Sequence, residues 1–279
     1  NNLLPFIINN YLKKSNYLKI NNRPLLFFYG TDNPNNSSGY NKIDSGVIRI
    51  IRDTIKQSGL GEPYLIAEDR DFTARKSTKA ATYKTIGYDH VFSYWPVVYQ
   101  AGGINFYAQK TERITEDQAL TGMKESYNWL SQNQVLPFIA NANPMADGIN
   151  QPLWTLSPPK YENLIDYLKS SIVPNIKSDL GKKVIITDAW NEITEGHWIA
   201  PTEKYAFNYL KSIRNTLTKS NNNPDYRRPL ENGFGPYDSQ YQNLYKHVVP
   251  PSLFEKSEFS FNNENDYRIA DKSPTGNTE

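Results

Sequence analysis

The sequence predicts an α/β fold of the (β/α)8 TIM-barrel type, and three observations carry that reading. Short apolar runs alternate with longer helical patterns, as parallel strands covered by helices do. No strand leads into a G-x-G-x-x-G or G-x-x-x-x-G-K-[ST] turn, which a doubly wound, nucleotide-binding sheet would carry. The strand ends are followed instead by Tyr, Asp, Glu, Trp and Asn. That suits a barrel whose site is assembled at the C-terminal ends of several strands. About five βα units are visible.

The elements follow in order. Leu4, Ile7, Ile8, Tyr11 and Leu12 have helical spacing within residues 2–14. Asn21 to Pro24 is turn-rich, and Leu25 to Gly30 reads as a buried strand. Residues 31–41 are an Asn/Ser/Gly loop. Asp44-Ser45 can cap a helix with Val47, Ile48, Ile51 and Ile55 on one face, ending near Gly59 and Gly61. Residues 63–67 form the second strand, and a short helix is expected at about 75–86. Residues 89–94 form a third, weaker strand, and an amphipathic helix follows at about 114–132. Residues 135–140 are the fourth strand, where Pro137 argues for an edge position or a bulge. A loop carrying Trp154 leads to a helix at about 159–178. A fifth strand opens at Lys182, and a last helix spans about 202 to 217. The domain reading is a barrel portion over 1–217 and a partly irregular extension over 218–279, with a linker-like Ser220 to Pro224.

Composition narrows the function. Lys and Arg number 31 against 29 Asp and Glu, a net charge of +2, so nothing favours nucleic acid or an acidic membrane. The absence of Cys excludes disulfides, thiolate metal sites and Cys nucleophiles. Three His (His90, His197, His247) fit no common metal motif, so no metal and no cofactor is expected. No apolar run approaches the length of a membrane span. Tyr at 20 and Trp at 5, mixed with Asn, suit a surface that stacks on sugar rings, or simply a biased genome.

The densest chemistry lies in Asp188-Ala189-Trp190-Asn191-Glu192-Ile193-Thr194-Glu195-Gly196-His197-Trp198, directly after the fifth strand. Two carboxylates three residues apart can divide the acid and base work of glycoside cleavage. Like charges held close push two pKa values apart, so that one stays protonated near neutrality. The same stretch also reads as a solvated acidic loop ahead of a helix. Other candidates come from strand-end positions. Tyr29 follows the first strand, as a ligand contact or a core Tyr. Glu68, Asp69 and Asp71 follow the second; of the three, Asp69 is singled out to face a ligand, with a salt bridge to Arg70 or Arg75 as the alternative. Tyr94 and Trp95 follow the third, as a sugar platform or an aromatic corner. Asn141 and Asn143 follow the fourth, as hydroxyl readers or turn formers. Trp154 could stack on a subsite, and His197 could bond a substrate hydroxyl.

This closing stretch resembles a motif of the WbsX-like and glycoside hydrolase family 99-like barrels, A-W-N-E-W-x-E-G…P-x-x-K-Y-x-x-x-Y-L. Here it reads Ala189-Trp190-Asn191-Glu192-Ile193-Thr194-Glu195-Gly196, then Pro201, Lys204, Tyr205, Tyr209 and Leu210. Asn16 to Leu25 and Gly87-Tyr88-Asp89 resemble weaker family elements, so the likeness covers about residues 10–217. In the family-99 endo-mannosidases the two Glu of the motif divide the work. The resemblance implies that Glu192 removes the proton of the substrate's own 2-hydroxyl. It implies that Glu195 acts as general acid, then base. The intermediate would be a 1,2-anhydro sugar, giving retention without a protein nucleophile. Trp190, Asn191 and His197, the neighbours of the two carboxylates in this stretch, are expected substrate contacts. Two positions depart from the pattern: Ile193 stands for the second Trp, and Ala200 for a Glu before Pro201. Both leave the carboxylates in place, which favours altered specificity over lost activity.

The expected function is a retaining glycosidase acting on an α-linked mannose-like or related glycan. The expected partner is an oligosaccharide or polysaccharide. The alternatives are a non-catalytic glycan-binding barrel and a glycosyltransferase-like enzyme of polysaccharide biosynthesis. A secreted, periplasmic or cell-surface bacterial setting is expected. Five units fill residues 24 to 217, about 39 residues each, and eight would need about 310. The expectation is therefore a chain that is N-terminally incomplete as a barrel, with about three βα units outside this sequence.

Overall fold

The computed structural model describes residues 3–29, 43–69, 78–93, 100–101, 104–105, 114–148, 151–194, 196–202 and 204–219. The chain divides into two units, Asn1–Lys219 and Ser220–Glu279, and all described residues belong to the first. The loop expected at 31–41, the strand-end residues Tyr94 and Trp95, the motif's Glu195 and the tail beyond Lys219 lie outside the described residues.

The chain opens with helix α1 (Leu3–Ile7), continued by one wider turn, Ile8–Leu12. Strand β1 (Lys19–Ile20) pairs antiparallel with β2 (Arg23–Phe28). Helix α2 (Ser45–Gln57) starts where the sequence places its cap: the Asp44 carboxylate accepts from the Val47 amide at 3.0 Å. Then come β3 (Tyr64–Glu68), α3 (Thr78–Ile86) and β4 (His90–Phe92). A small hairpin, β5 (Gln100–Ala101) with β6 (Ile104–Asn105), precedes α4 (Glu116–Gln132). Thr115 caps α4 and Gln118 reaches back to it, a reciprocal capping box. Strand β7 (Ala140–Ala142) is followed by the hairpin β8 (Met145–Gly148) and β9 (Gln151–Thr155). Helix α5 (Pro158–Tyr167) leads through a wider turn, Leu168–Ile172, and a tighter one, Val173–Asn175, to β10 (Ile185–Thr187). A last hairpin, β11 (Asn191–Glu192) with β12 (His197–Trp198), precedes α6 (Asn208–Leu217).

Five of these strands run parallel in sequence order. β2 pairs with β3, β3 with β4, and β7 with β10. A parallel bridge, Val91 to Phe138, joins β4 to the segment that becomes β7. A mixed α/β architecture is therefore present. A closed barrel is not formed among the described residues.

Pro137 corrects one expectation. It neither pushes its strand to an edge nor makes a bulge. Its carbonyl accepts from the Val91 amide at 3.0 Å, and the Ile139 amide donates to Val91 O at 2.9 Å. Proline lacks only a donor, and at the first rung of the ladder the strand needs only its acceptor. The Trp154 segment is corrected too: it is a strand of a hairpin, not a loop.

Strands β3, β4 and β7 are buried on both faces, as parallel strands under helices are, while β2 and β10 are partly open. Leu65, Ala67, Val91, Phe138, Ala140 and Ala142 pack against Tyr83, Met123, Tyr127, Tyr161 and Leu164 of the helices. The alternate positions Leu25, Ile66, Phe92 and Ile139 form a second cluster with one another and Leu180. Side chains from one face of a sheet meet each other this way when the sheet curves inward. Gly181 fits the turn under this cluster because a Cβ there would lie 2.8 Å from Phe138 O and clash with Ile176. No described helix is long and apolar enough to cross a membrane.

Candidate active site

The site builds from the C-terminal ends of β3, β4, β7 and β10. At or near the last residue of each, polar groups are buried where apolar residues would otherwise sit: Glu68, Asp69, Ser93, Asn141, Asn143 and Asp188. Alternation along β3 puts Glu68 on the face of Ile66, and along β7 it puts Asn141 on the face of Ile139. Glu68, and not the favoured Asp69, is therefore in register with the inward-facing cluster. Asp69 is also buried, and its amide donates to Phe92 O at 2.8 Å.

Buried polar groups are held by hydrogen bonds. Asn141 Nδ2 donates to Ser93 O at 2.8 Å, joining the ends of β7 and β4. Tyr127 of α4 donates its hydroxyl to Asn141 O at 2.6 Å and accepts from the Asn141 amide at 2.9 Å. Tyr161 of α5 donates to Ala142 O at 3.1 Å. Burial raises the pKa of both phenols, and the nearby Asp188 carboxylate raises them further, so they remain neutral donors.

Asp188 is the first residue after β10 and is 4% exposed. Asn143 Nδ2 donates to its Oδ2 at 2.6 Å, and His197 Nδ1 lies 3.3 Å from the same oxygen. Asn143 Oδ1 in turn accepts from the Met145 amide at 2.8 Å, fixing the start of β8.

The motif's centre stands above this floor. Asn191 and Glu192 form β11, with Asn191 opposite Trp198 and Glu192 opposite His197. Gly196 turns the hairpin at φ +80°, a conformation that suits glycine. Ile199 and Ala200 donate to the carbonyls of Ala189 and Trp190 at 2.8 and 3.0 Å, so the motif folds back on its own start. Trp190 is 56% exposed and Ile193 57%, and Asn191 and Glu192 are exposed beside them.

The sequence-derived candidates therefore separate. Trp190, Asn191 and Glu192 lie together on the exposed hairpin. Tyr29 is exposed beyond the end of β2. Asp69 and Asn141 are buried among the strand ends. His197, the first residue of β12 in the hairpin, is fully buried, so its ring is closed to solvent, against the expectation of a sugar hydroxyl contact. Trp154 is 1% exposed in the main core with Met145, Leu156 and Tyr161, so it cannot stack on a ligand. Two residues were missed, Ser93 and Asp188. Each directly follows its strand, the rule that picked out Asp69, and could have been found by it. Among the described residues no cluster of three or more His, Asp or Glu could hold a metal ion. Among the described residues two surface concavities lie on the helical layer. One is a cleft of about 260 Å³ bounded by Arg49, Arg52 and Glu62, the other a groove of about 780 Å³ between α5 and α6.

No curated protein and no solved structure matches the chain. A family model described as "Glycosyltransferase WbsX" matches residues 4–213, from the first helix through the exposed hairpin and into α6. That span takes in every strand end that builds the site, and the chain belongs to this WbsX family of glycan-acting enzymes.

Proposed function

We propose that the protein is a retaining glycoside hydrolase acting on an α-linked mannose-like or related glycan. The observation that carries the proposal is the placement of Glu192. It is an exposed carboxylate beside exposed Trp190, on a hairpin that follows a parallel strand's C-terminal end, over a buried polar floor. An aromatic face beside a carboxylate is what a sugar ring and its hydroxyl require. In this reading the five strands are part of a (β/α)8 barrel, residues 1–217 form the catalytic portion, and 218–279 form an extension.

The chemistry then runs in two steps. Glu192 takes the proton of the substrate's 2-hydroxyl as O2 forms a bond to C1. The bond from C1 to the leaving oxygen breaks, and Glu195 protonates that oxygen. Water next attacks C1 while Glu195 takes its proton. The C1–O2 bond opens, and Glu192 returns the proton to O2. Two inversions at C1 give net retention, and the protein supplies only proton transfers.

The test is a digestion screen of α-mannans and bacterial polysaccharides with wild type beside Glu195→Gln, read by NMR of the first-formed anomer. Release of the retained anomer by wild type alone is expected. Equal release by Glu195→Gln, or an inverted first product, overturns the proposal. The family's description favours a second reading, a glycosyltransferase. Protection from thermal unfolding by nucleotide sugars, with no hydrolysis in the screen, would select it.

A further inference from the structure

The Asp188–His197 pair takes no part in the proton transfers above, and neither side chain is open to a ligand. Asp188 is 4% exposed and His197 is fully buried. Two ionisable groups taken out of water cost several kcal/mol in desolvation, so a fold rarely keeps such a pair where apolar side chains would serve. The pair's position explains why it stands here. Asp188 ends β10, and Asn143, which donates to it at 2.6 Å, ends β7. His197 opens β12, 3.3 Å from the same carboxylate oxygen. The cluster therefore joins two sheet strands to the hairpin.

His197 is also the residue directly opposite Glu192 in the β11–β12 pairing. Opposed residues of an antiparallel pair put their side chains on the same face, with Cβ atoms about 5 Å apart. The imidazole thus has the Asp188 carboxylate on one side and Glu192 as its cross-strand neighbour. Two hydrogen bonds from Ile199 and Ala200 close the hairpin onto Ala189 and Trp190, the residues just after Asp188. A shift of His197 would therefore be passed to Glu192 through one rung of a two-stranded ribbon.

We propose that Asp188 and His197 are positioning residues: a buried carboxylate–imidazole pair that fixes the hairpin carrying Glu192 over the strand ends. The proposal rests on the reading of Glu192 as the base. The Asp188 carboxylate, just after β10, lies 3.3 Å from the imidazole, and Glu192 of β11 is the residue opposite it in register. Tyr161 of α5 and Tyr127 of α4 lie within electrostatic reach of Asp188. Removing the Asp188 charge leaves the imidazole with less support for its protonated form, so its pKa falls.

The experiment compares wild type, Asp188→Asn and His197→Gln in the full chain. The His197 ring signal is assigned by its loss in His197→Gln. In Asp188→Asn the ring pKa is expected to fall by at least one unit. Hydrogen exchange at the Ile199 and Ala200 amides should quicken at least tenfold, with the β2–β3 amides unchanged. On a glycan found by the digestion screen, kcat should fall 10- to 100-fold with KM within twofold. A folded Asp188→Asn with wild-type ring pKa and wild-type exchange at Ile199 and Ala200 overturns the proposal. Should Asp188→Asn fail to fold, His197→Gln carries the exchange test with the same two outcomes. If wild type turns over no glycan, the hydrolase reading fails, while the ring titration and exchange still decide the clamp.

Discussion

The two ends of the parallel strands are built from different chemistry. At the N-terminal ends the charges are arginines paired with carboxylates. Arg52 of α2 reaches Asp89 at 2.7 Å, Glu62 at 3.2 Å, and the carbonyls of Pro63 and Gly87. Arg23 lies 3.6 Å over the Tyr64 ring and donates to Glu62 O at 2.7 Å. Asp89 also accepts from the Leu65 amide at 2.8 Å. At the C-terminal ends Asp188 is held by an amide and an imidazole, and Glu192 is exposed above it. An arginine fork saturates a carboxylate and holds strands in place. Asp188 instead ties the end of β10 to β7 and to the hairpin that carries Glu192. The first end suits stability, and under the proposed function the second serves turnover.

That division can be broken by mutation, and the largest stability effect tests the boundary between core and site. Trp154→Ala should cost about 3–5 kcal/mol in urea unfolding, because a fully buried indole leaves a cavity. Near-wild-type stability with lost glycan binding would instead make Trp154 a ligand wall.

Acid should act through the N-terminal end. His90 is buried against Tyr64 with its Nε2 2.8 Å from Ser178 Oγ. Burial lowers its pKa from 6.5 to about 4, against the pull of Asp89 and with a small push from Arg23. The folded state thus binds fewer protons than the unfolded state between these values. The stabilisation is full above pH 6.5 and lost as pH falls towards 4, up to ~3 kcal/mol. Unfolding free energy measured from pH 7 to 4 should show this slope in wild type and a shallower one in His90→Gln. Parallel slopes would contradict it.

Arg52→Ala removes a half-buried fork and leaves Asp89 with the Leu65 amide and the more distant Arg23, so about 2 kcal/mol should be lost with kcat unchanged. A fall in kcat at unchanged stability would erase the contrast between the two ends. The smallest effect is at the α2 cap, where Asp44→Ala should cost about 1 kcal/mol in the same unfolding assay and nothing in turnover.

Much of this contrast was legible in residue order. Four of the five apolar runs overlap their parallel strands well, the fourth (135–140) meets β7 at Ala140 with only a bridge at Phe138 before it, and Asp44 caps the helix it was expected to cap. The β8–β9 hairpin was not legible, because Pro152 and the polar residues around it blur alternation, and its register shifts between Ala146 and Asp147. Pro137 was misjudged because a rule about donors says nothing of a rung that needs only an acceptor. In the site, the motif showed Trp190, Asn191 and Glu192 as neighbours. It could not show that His197, two residues after Glu195, is buried. Nor could it show that Asn143 reaches Asp188 across 45 residues, since such a contact exists only once the strands align.

The most direct measurement is turnover and binding of one screened glycan by Glu192→Gln, beside its thermal midpoint. The account predicts at least a thousandfold loss of kcat with the glycan still bound and the midpoint within two degrees or so of wild type, since Glu192 is exposed. Turnover at the wild-type rate would contradict it.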